Sequence, residues 1–265
     1  MTQTPFRRRL TALFAIGLAL PAAIDAQTLA KQFLFEDFLL VPVRVHLLSA
    51  KEFPAIQTTL TETDIARIWK KVNAVWSQAG LHFYIESLVQ EDAELPEADT
   101  RLAPEVDSKA LLDLRPTQSR SDNMFHVYYL KDMSVNGIYF VQAIFVKDTA
   151  SLRRVEGGID EPLPRVTSHE LGHALTLSHR QNTTNLMASG TTGTWLNEGE
   201  IDQARKAARS LQWIVAAPDV MKQAEEKFRA SRLKEAATLY SRLATIPLQS
   251  EEVELAKLRA EQASR

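Results

Sequence analysis

The sequence predicts an α+β fold, a sheet with helices packed on it, followed by a short all-α extension. Three observations carry this reading. Between residues 38 and 88 the hydrophobic period runs from strand-like to helical and back to strand-like. The same alternation continues, giving the order strand, helix, strand, strand, strand, helix. From residue 214 the composition turns to Ala, Glu, Lys, Arg and Leu at helical spacing.

Phe38 to Leu48 is the first strand, with Leu39, Val41, Val43, Val45 and Leu47 alternating with Leu40, Pro42, Arg44, His46 and Leu48. Pro42 lacks an amide proton and predicts an edge position or a bulge. A helix follows over Thr63 to Ala79, its stripe formed by Ile65, Ile68, Trp69, Val72, Val75 and Trp76. Thr61 or Thr63 suits its N-cap and Gly80 its left-handed C′ position. Leu81 to Leu88 is the second strand, and a short helix is expected around Pro104 to Leu114. Met124–Lys131 and Gly137–Val146 read as the arms of a hairpin, because Asn136-Gly137 in the connection is a turn signal. Gly157-Gly158 marks another turn, and a helix is expected from near Pro164. Asn197 suits the N-cap of a helix through Leu211. Two further helices, broken at Ala230-Ser231-Arg232, and a third over Glu251 to Gln262 complete the chain.

Composition bounds the chemistry. The 265 residues include 45% apolar side chains, which excludes a disordered or low-complexity chain. The absence of cysteine excludes disulfides, cysteine zinc sites, thiol nucleophiles and iron–sulfur clusters. A net charge of −2 gives no electrostatic reason to expect nucleic acid as a partner.

Arg7, Arg8 and Arg9 precede an apolar run from Leu10 to Leu20 and a small-residue stretch ending at Ala26. That is the pattern of a secretory signal peptide over residues 1–26. The run is far shorter than the roughly 20 residues of a spanning helix. The mature chain is therefore expected to be exported, periplasmic or extracellular, without stable membrane insertion after cleavage.

One constellation carries chemistry. His169 and His173 stand at i and i+4 in His169-Glu170-Leu171-Gly172-His173, one turn apart on one helix face, as two ligands of one metal require. His179 follows six residues later, too far for the same face, so the chain must leave the helix and turn back. Three neutral imidazoles leave one tetrahedral position open, the arrangement of a catalytic Zn2+ site. Glu170, beside the first ligand, is the natural general base. With 6 histidines in the chain, a chance match to this spacing is expected only about 0.0002 times. A weaker rival takes Glu198 or Glu200 as the third ligand, although both suit the first turn of a helix. His46, His82 and His126 each stand alone in a strand and read as strand-face residues.

His169-Glu170-x-x-His173-x-x-Thr176-x-x-His179, followed by Asn185-Leu186-Met187, resembles the metzincin clan of zinc metallopeptidases. The resemblance implies a zincin fold with a mixed twisted sheet and an active-site helix. It implies His169, His173 and His179 as ligands of one catalytic Zn2+, Glu170 as the catalytic glutamate, and Met187 as the methionine of the turn beneath the metal. It also implies that the Gly137–Val146 segment, with Gly137, Ile138 and Tyr139, is an edge on which an extended peptide pairs. Trp195 is a candidate wall of the substrate pocket, and His126 or Tyr139 a candidate oxyanion donor.

Three departures stand out. Metzincins usually carry glycine where this chain has Thr176, and a β-branched residue disfavours positive φ, so the helix end must be reshaped or strained. Ser189 occupies the position of the tyrosine that some members carry two residues after the methionine. No cysteine exists for a thiol latch, and the stretch between leader and first strand leaves no room for a conventional inhibitory propeptide.

The expected organisation is a signal peptide over 1–26, a metallopeptidase domain over 27–213 and a helical extension over 214–265. The extension resembles a single tetratricopeptide-like hairpin over about 219–244. One unit cannot bury its own face, so the extension reads as a brace on the main domain or a docking surface for a protein partner. Its 9 basic and 8 acidic side chains make it neither a basic nor an acidic binding tail. The function expected is secreted zinc-dependent endopeptidase activity on polypeptide substrates. The alternative is an inactive zinc-binding scaffold that works as a protein-binding module.

Overall fold

The computed structural model describes residues 32–94 and 108–265. The expected signal peptide and the start of the helix expected near Pro104 lie outside the described residues. Six strands form one mixed sheet: β1 (Leu39–Ser49), β2 (Leu81–Asp92), β3 (Phe125–Leu130), β4 (Gly137–Phe140), β5 (Ala143–Lys147) and β6 (Val215–Ala216). The order is β2-β1-β3-β5-β4, with β6 paired to β1. β1, β2, β3 and β5 run parallel, while β4 and β6 pair antiparallel to β5 and β1.

β1 lies in the interior of the sheet, and both of its side-chain rows are buried, as an interior parallel strand requires. Leu39, Val41, Val43, Val45 and Leu47 enter the main core, while Leu40 and Leu48 enter separate clusters on the opposite face. The edge position expected from Pro42 is therefore corrected. Pro42 fits the interior because β6 stops pairing at Leu40 and β3 starts only at Val43. The register with β2 also shifts between Val43 and Arg44, so the bulge alternative holds.

α1 (Glu62–Trp76) begins with a reciprocal capping box between Thr61 and Asp64 and buries its predicted stripe. A 3-10 turn over Ser77–Ala79 and Gly80 at φ 58° end it. α2 (Ser108–Asp113) is the short helix of the polar region. The expected hairpin between Met124–Lys131 and Gly137–Val146 is corrected, because β3 pairs with β5 in parallel and never with β4. The hairpin lies instead within the second run. Its two turn residues, Val141 and Gln142, take φ 44° and 61° without the usual Gly, Asn or Asp. Asn136 is an anchor rather than a turn, since its side chain bonds the carbonyl and amide of Ser151.

α3 (Pro162–Ala174) starts two residues before the expected Pro164, with Pro162 in its first turn. α4 (Glu198–Ser210) is capped by Asn197, and α1, α3 and α4 contribute to the main core against one sheet face. α5 (Ala217–Arg229), α6 (Leu233–Ala244) and α7 (Glu251–Ala263) follow, with Ser231 at φ 59° in the break. Their buried residues Val220, Ala224, Tyr240 and Val253 form one cluster with Phe33, Phe35, Phe38 and Leu40. The C-terminal helices thus share a core with the first described residues. Among the described residues no helix is long and apolar enough to cross a membrane.

The three isolated histidines are buried strand-face residues. His46 Nε2 lies 2.9 Å from His126 Nδ1, and His46 Nδ1 lies 2.5 Å from a carboxylate oxygen of Glu91. His126 contacts Ser121 in this back-face network, so it is not an oxyanion donor. His82 is fully buried against α6, 3.0 Å from Thr245 Oγ1, and burial depresses its pKa to about 4. Between pH 6.5 and about 4 the unfolded chain binds a proton that this ring excludes, so stability falls as pH falls through that window. Urea unfolding at several pH values checks this. His82→Leu is expected to flatten the acid limb by up to one proton, about 1.4 kcal/mol per pH unit. An unchanged slope would count against it.

Candidate metal centre

α3 carries His169 and His173 one turn apart with Glu170 in the same cleft lining, and the chain after the helix brings His179 back to meet the two imidazoles. The three Nε2 atoms lie 3.2, 3.1 and 3.2 Å from one another. Ligands at about 2.05 Å in tetrahedral angles stand about 3.3 Å apart, so the three donors fit a single cation. Hydrogen bonding fixes which nitrogens face inward. His169 Nδ1 donates to the Leu186 carbonyl at 2.8 Å, and His173 Nδ1 donates to the Leu177 carbonyl at 2.8 Å. In neutral rings this leaves each Nε2 as an unprotonated lone pair. Burial, followed by the charge of Arg165, lowers the His169 pKa to about 3, and burial lowers that of His173. Among the described residues this is the group of three whose donor atoms could hold a metal ion.

The return path depends on Thr176. Leu177 N–H bonds the Gly172 carbonyl and Thr176 N–H bonds the His173 carbonyl, closing the helix as a left-handed cap. Thr176 sits at the cap with φ 69°, so the strain expected from a β-branched residue there is present. Gln203 of α4 holds it, donating to the Thr176 carbonyl at 2.6 Å.

The floor is the 185–187 turn. Met187 is fully buried under α3, and a Cβ on Gly172 would lie 2.5 Å from its sulfur. Asn185 Oδ1 accepts the Met187 N–H at 2.7 Å, and Asn185 Nδ2 donates to Glu200 Oε2 at 2.7 Å. Glu200 Oε1 in turn accepts from Arg180 Nε at 2.5 Å, the residue directly after His179. One buried carboxylate therefore fixes both the turn that orients His169 and the segment that delivers His179. Glu200 also caps α4 through the Asn197 N–H, so it is committed elsewhere and is not a ligand. Glu198 likewise stands outside the cluster, and the rival carboxylate reading gives way to His179. Sequence reasoning missed this second layer. Asn197 reads as an N-cap and Glu200 as a first-turn acid, but nothing in either signals the contacts to Asn185 and Arg180.

A cleft of about 680 Å³ opens over the three imidazoles, lined also by Glu170, Gly137, Ile138 and Tyr139. Burial pushes the Glu170 pKa up to about 8, against the opposing charge of Arg165 and a hydrogen bond from the Tyr139 backbone. A cation on the nearby imidazoles would favour its ionised form. Gly137 abuts this carboxylate so closely that a Cβ would lie 2.8 Å from Glu170 Oε1 and 2.5 Å from Val166 Cγ1. Arg165, also unforeseen, is buried in the same wall, and its guanidinium donates to the carbonyls of Gly193 and Ala188. Trp195 is not brought to this cleft. Its ring is half exposed, and its backbone bonds Thr184 and Leu186.

No family model matches the chain, and no curated protein matches it. Among solved structures, the chain is matched to a zinc-dependent peptidase from Methanocorpusculum labreanum (strain Z). The two are 14% identical, the match covers 62% of this chain and 98% of that one, and the TM-score is 0.36. So distant a likeness does not bear on function.

Two substitutions probe the frame around the imidazoles. Thr176→Gly relieves a left-handed φ and is expected to add about 1 kcal/mol, raising the melting temperature by about 2–4 °C with zinc binding intact. Glu200→Ala leaves Asn185 and Arg180 without their shared acceptor. Competitive chelator titration is expected to show zinc affinity about 10–100-fold weaker.

Proposed function

We propose that this chain is an exported zinc metallopeptidase of metzincin type, cleaving peptide bonds with Glu170 as general base. One observation carries the reading: three converging imidazole Nε2 atoms and a buried carboxylate share a cleft bordered by an edge strand. His169, His173 and His179 would hold the ion, with Met187 beneath them. Bound zinc supplies Lewis acidity, which polarises a carbonyl and lowers the pKa of water.

The remaining steps belong to the chain's own residues. β4 is the outer strand of the sheet, and an extended substrate can pair with its backbone along Gly137, Ile138 and Tyr139. Glu170, on the helix facing that strand, accepts a proton from water at its carboxylate and returns it to the departing amine nitrogen. Its burial suits this exchange, because a carboxylate far from bulk solvent holds a proton more readily than an exposed one. The leader pattern of residues 1–26 supports export.

Zinc analysis and a quenched-peptide library test the reading together. The mature chain is expected to bind one zinc ion and cleave peptides, and Glu170→Ala to keep zinc while losing about 10²–10⁴-fold in rate. His179→Ala is expected to lose the metal. Near-zero rates in both wild type and Glu170→Ala, with zinc bound, would replace the enzyme by an inactive scaffold that binds protein.

A further inference from the structure

The sheet has a second edge, and it too opens into a groove. β2 is the outermost strand on the side away from β4, separated from it by four strand spacings, about 19 Å. A groove of about 860 Å³ runs between the β2 segment 83–86, one face of α1 and one face of α6.

At one end of the groove, α1 already imitates a neighbouring strand. Asn73 Oδ1 accepts the Phe83 N–H, and Asn73 Nδ2 donates to the Phe83 carbonyl, both at 2.8 Å. The backbone groups of Phe83 therefore face away from β1. Backbone groups of alternate residues in a strand point to the same side, so the N–H and carbonyl of Ile85 face outward as well. No described residue takes them up in a hydrogen bond. Glu86 follows as the extra residue of the register shift, which ends the straight run.

The walls add chemistry. Ile85, Ala237 and Pro247, none of them fully buried, supply the apolar surface, with Trp69 and Phe83 packed in the core behind them. Lys70, Lys234 and Arg242 line the groove, and among the described residues none of them is paired with an acid in a salt bridge. Arg242 lies over the Tyr84 ring at 4.4 Å. The one acid in the lining, Glu86, bonds Arg44 and Ser87 and also attracts Arg242, which leaves the two lysines without an acidic neighbour in the lining. The groove thus presents an uncapped strand edge, apolar walls and a surplus of cations.

We infer that this groove binds an extended polypeptide segment with acidic side chains, added as a further strand on β2 at Ile85. Backbone pairing supplies register, apolar side chains rest on Ile85, Ala237 and Pro247, and acidic ones meet Lys70, Lys234 and Arg242. The site is independent of the metal centre and does not rest on peptidase activity.

The test is a binding measurement on the mature chain carrying Glu170→Ala, so that cleavage cannot remove the probe. The probe is a fluorescein-labelled peptide of alternating Glu and Val. Controls are its Lys-for-Glu counterpart, the same peptide N-methylated at alternate amides, and laurate. The acidic peptide is expected to bind about tenfold or more tightly than the lysine peptide. Lys70→Glu with Lys234→Glu, both exposed, is expected to reverse that preference, and Ser241→Trp to plug the groove and abolish binding. Hydrogen exchange of the Ile85 amide is expected to slow on binding. Equal binding of the N-methylated peptide, binding that survives Ser241→Trp, or an Ile85 amide whose exchange does not change would overturn the proposal. Displacement of laurate but not of peptide by Ser241→Trp would assign the groove to an apolar anion instead.

Discussion

Two backbone carbonyls govern the candidate metal centre. Leu186 and Leu177 each accept a proton from an imidazole Nδ1, and that choice turns the Nε2 lone pairs of His169 and His173 towards the same point. A ring free to rotate would lose much of its affinity for a cation, because its orientation would have to be fixed on binding. Everything behind these carbonyls serves to hold them. Met187 supports the helix from below, Asn185 pins the turn, and Glu200 ties Asn185 and Arg180 together from a position that is almost fully buried. A buried carboxylate is tolerable only when its lone pairs are used, and Glu200 uses both oxygens.

The local elements were legible because their signals are local. Helical spacing with Thr61 and Gly80 at its ends specified α1, and Asn197 specified the start of α4. The histidine spacing named the three imidazoles, and the geometry brings all three together. What failed was pairing, which depends on partners distant in sequence. Pro42 reads as an edge residue in isolation, yet it sits where the ladder on one side lapses. Asn136-Gly137 carries the turn signal but serves Ser151 and the Glu170 wall, whereas the true turn at Val141-Gln142 carries none. The two-residue β6 is too short to leave any periodic trace.

The side chains around the site were hidden for a related reason. Glu200, Asn185 and Arg165 are ordinary polar residues in sequence, and their importance comes from burial. Asn73 is similar: on a helix surface it would be neutral, but beside Phe83 it replaces a missing strand. Residues of this kind become visible only when the chain is folded around them. Thr176 is the exception, since a β-branched residue where the resembling clan carries glycine signals strain in the sequence itself, and its φ of 69° matches.

The cluster joining Phe33, Phe35, Phe38 and Leu40 to the last three helices bears on how the molecule comes into being. At Phe38 and Leu40 the back of the opening strand is covered by helices that begin only at Ala217, so this cover arrives late in synthesis. Contacts between residues so far apart in sequence close long loops and arrive late in folding. Until then Phe38 and Leu40 lack the apolar partners that these helices supply. That delay favours whatever machinery keeps a nascent chain open and discourages premature compaction.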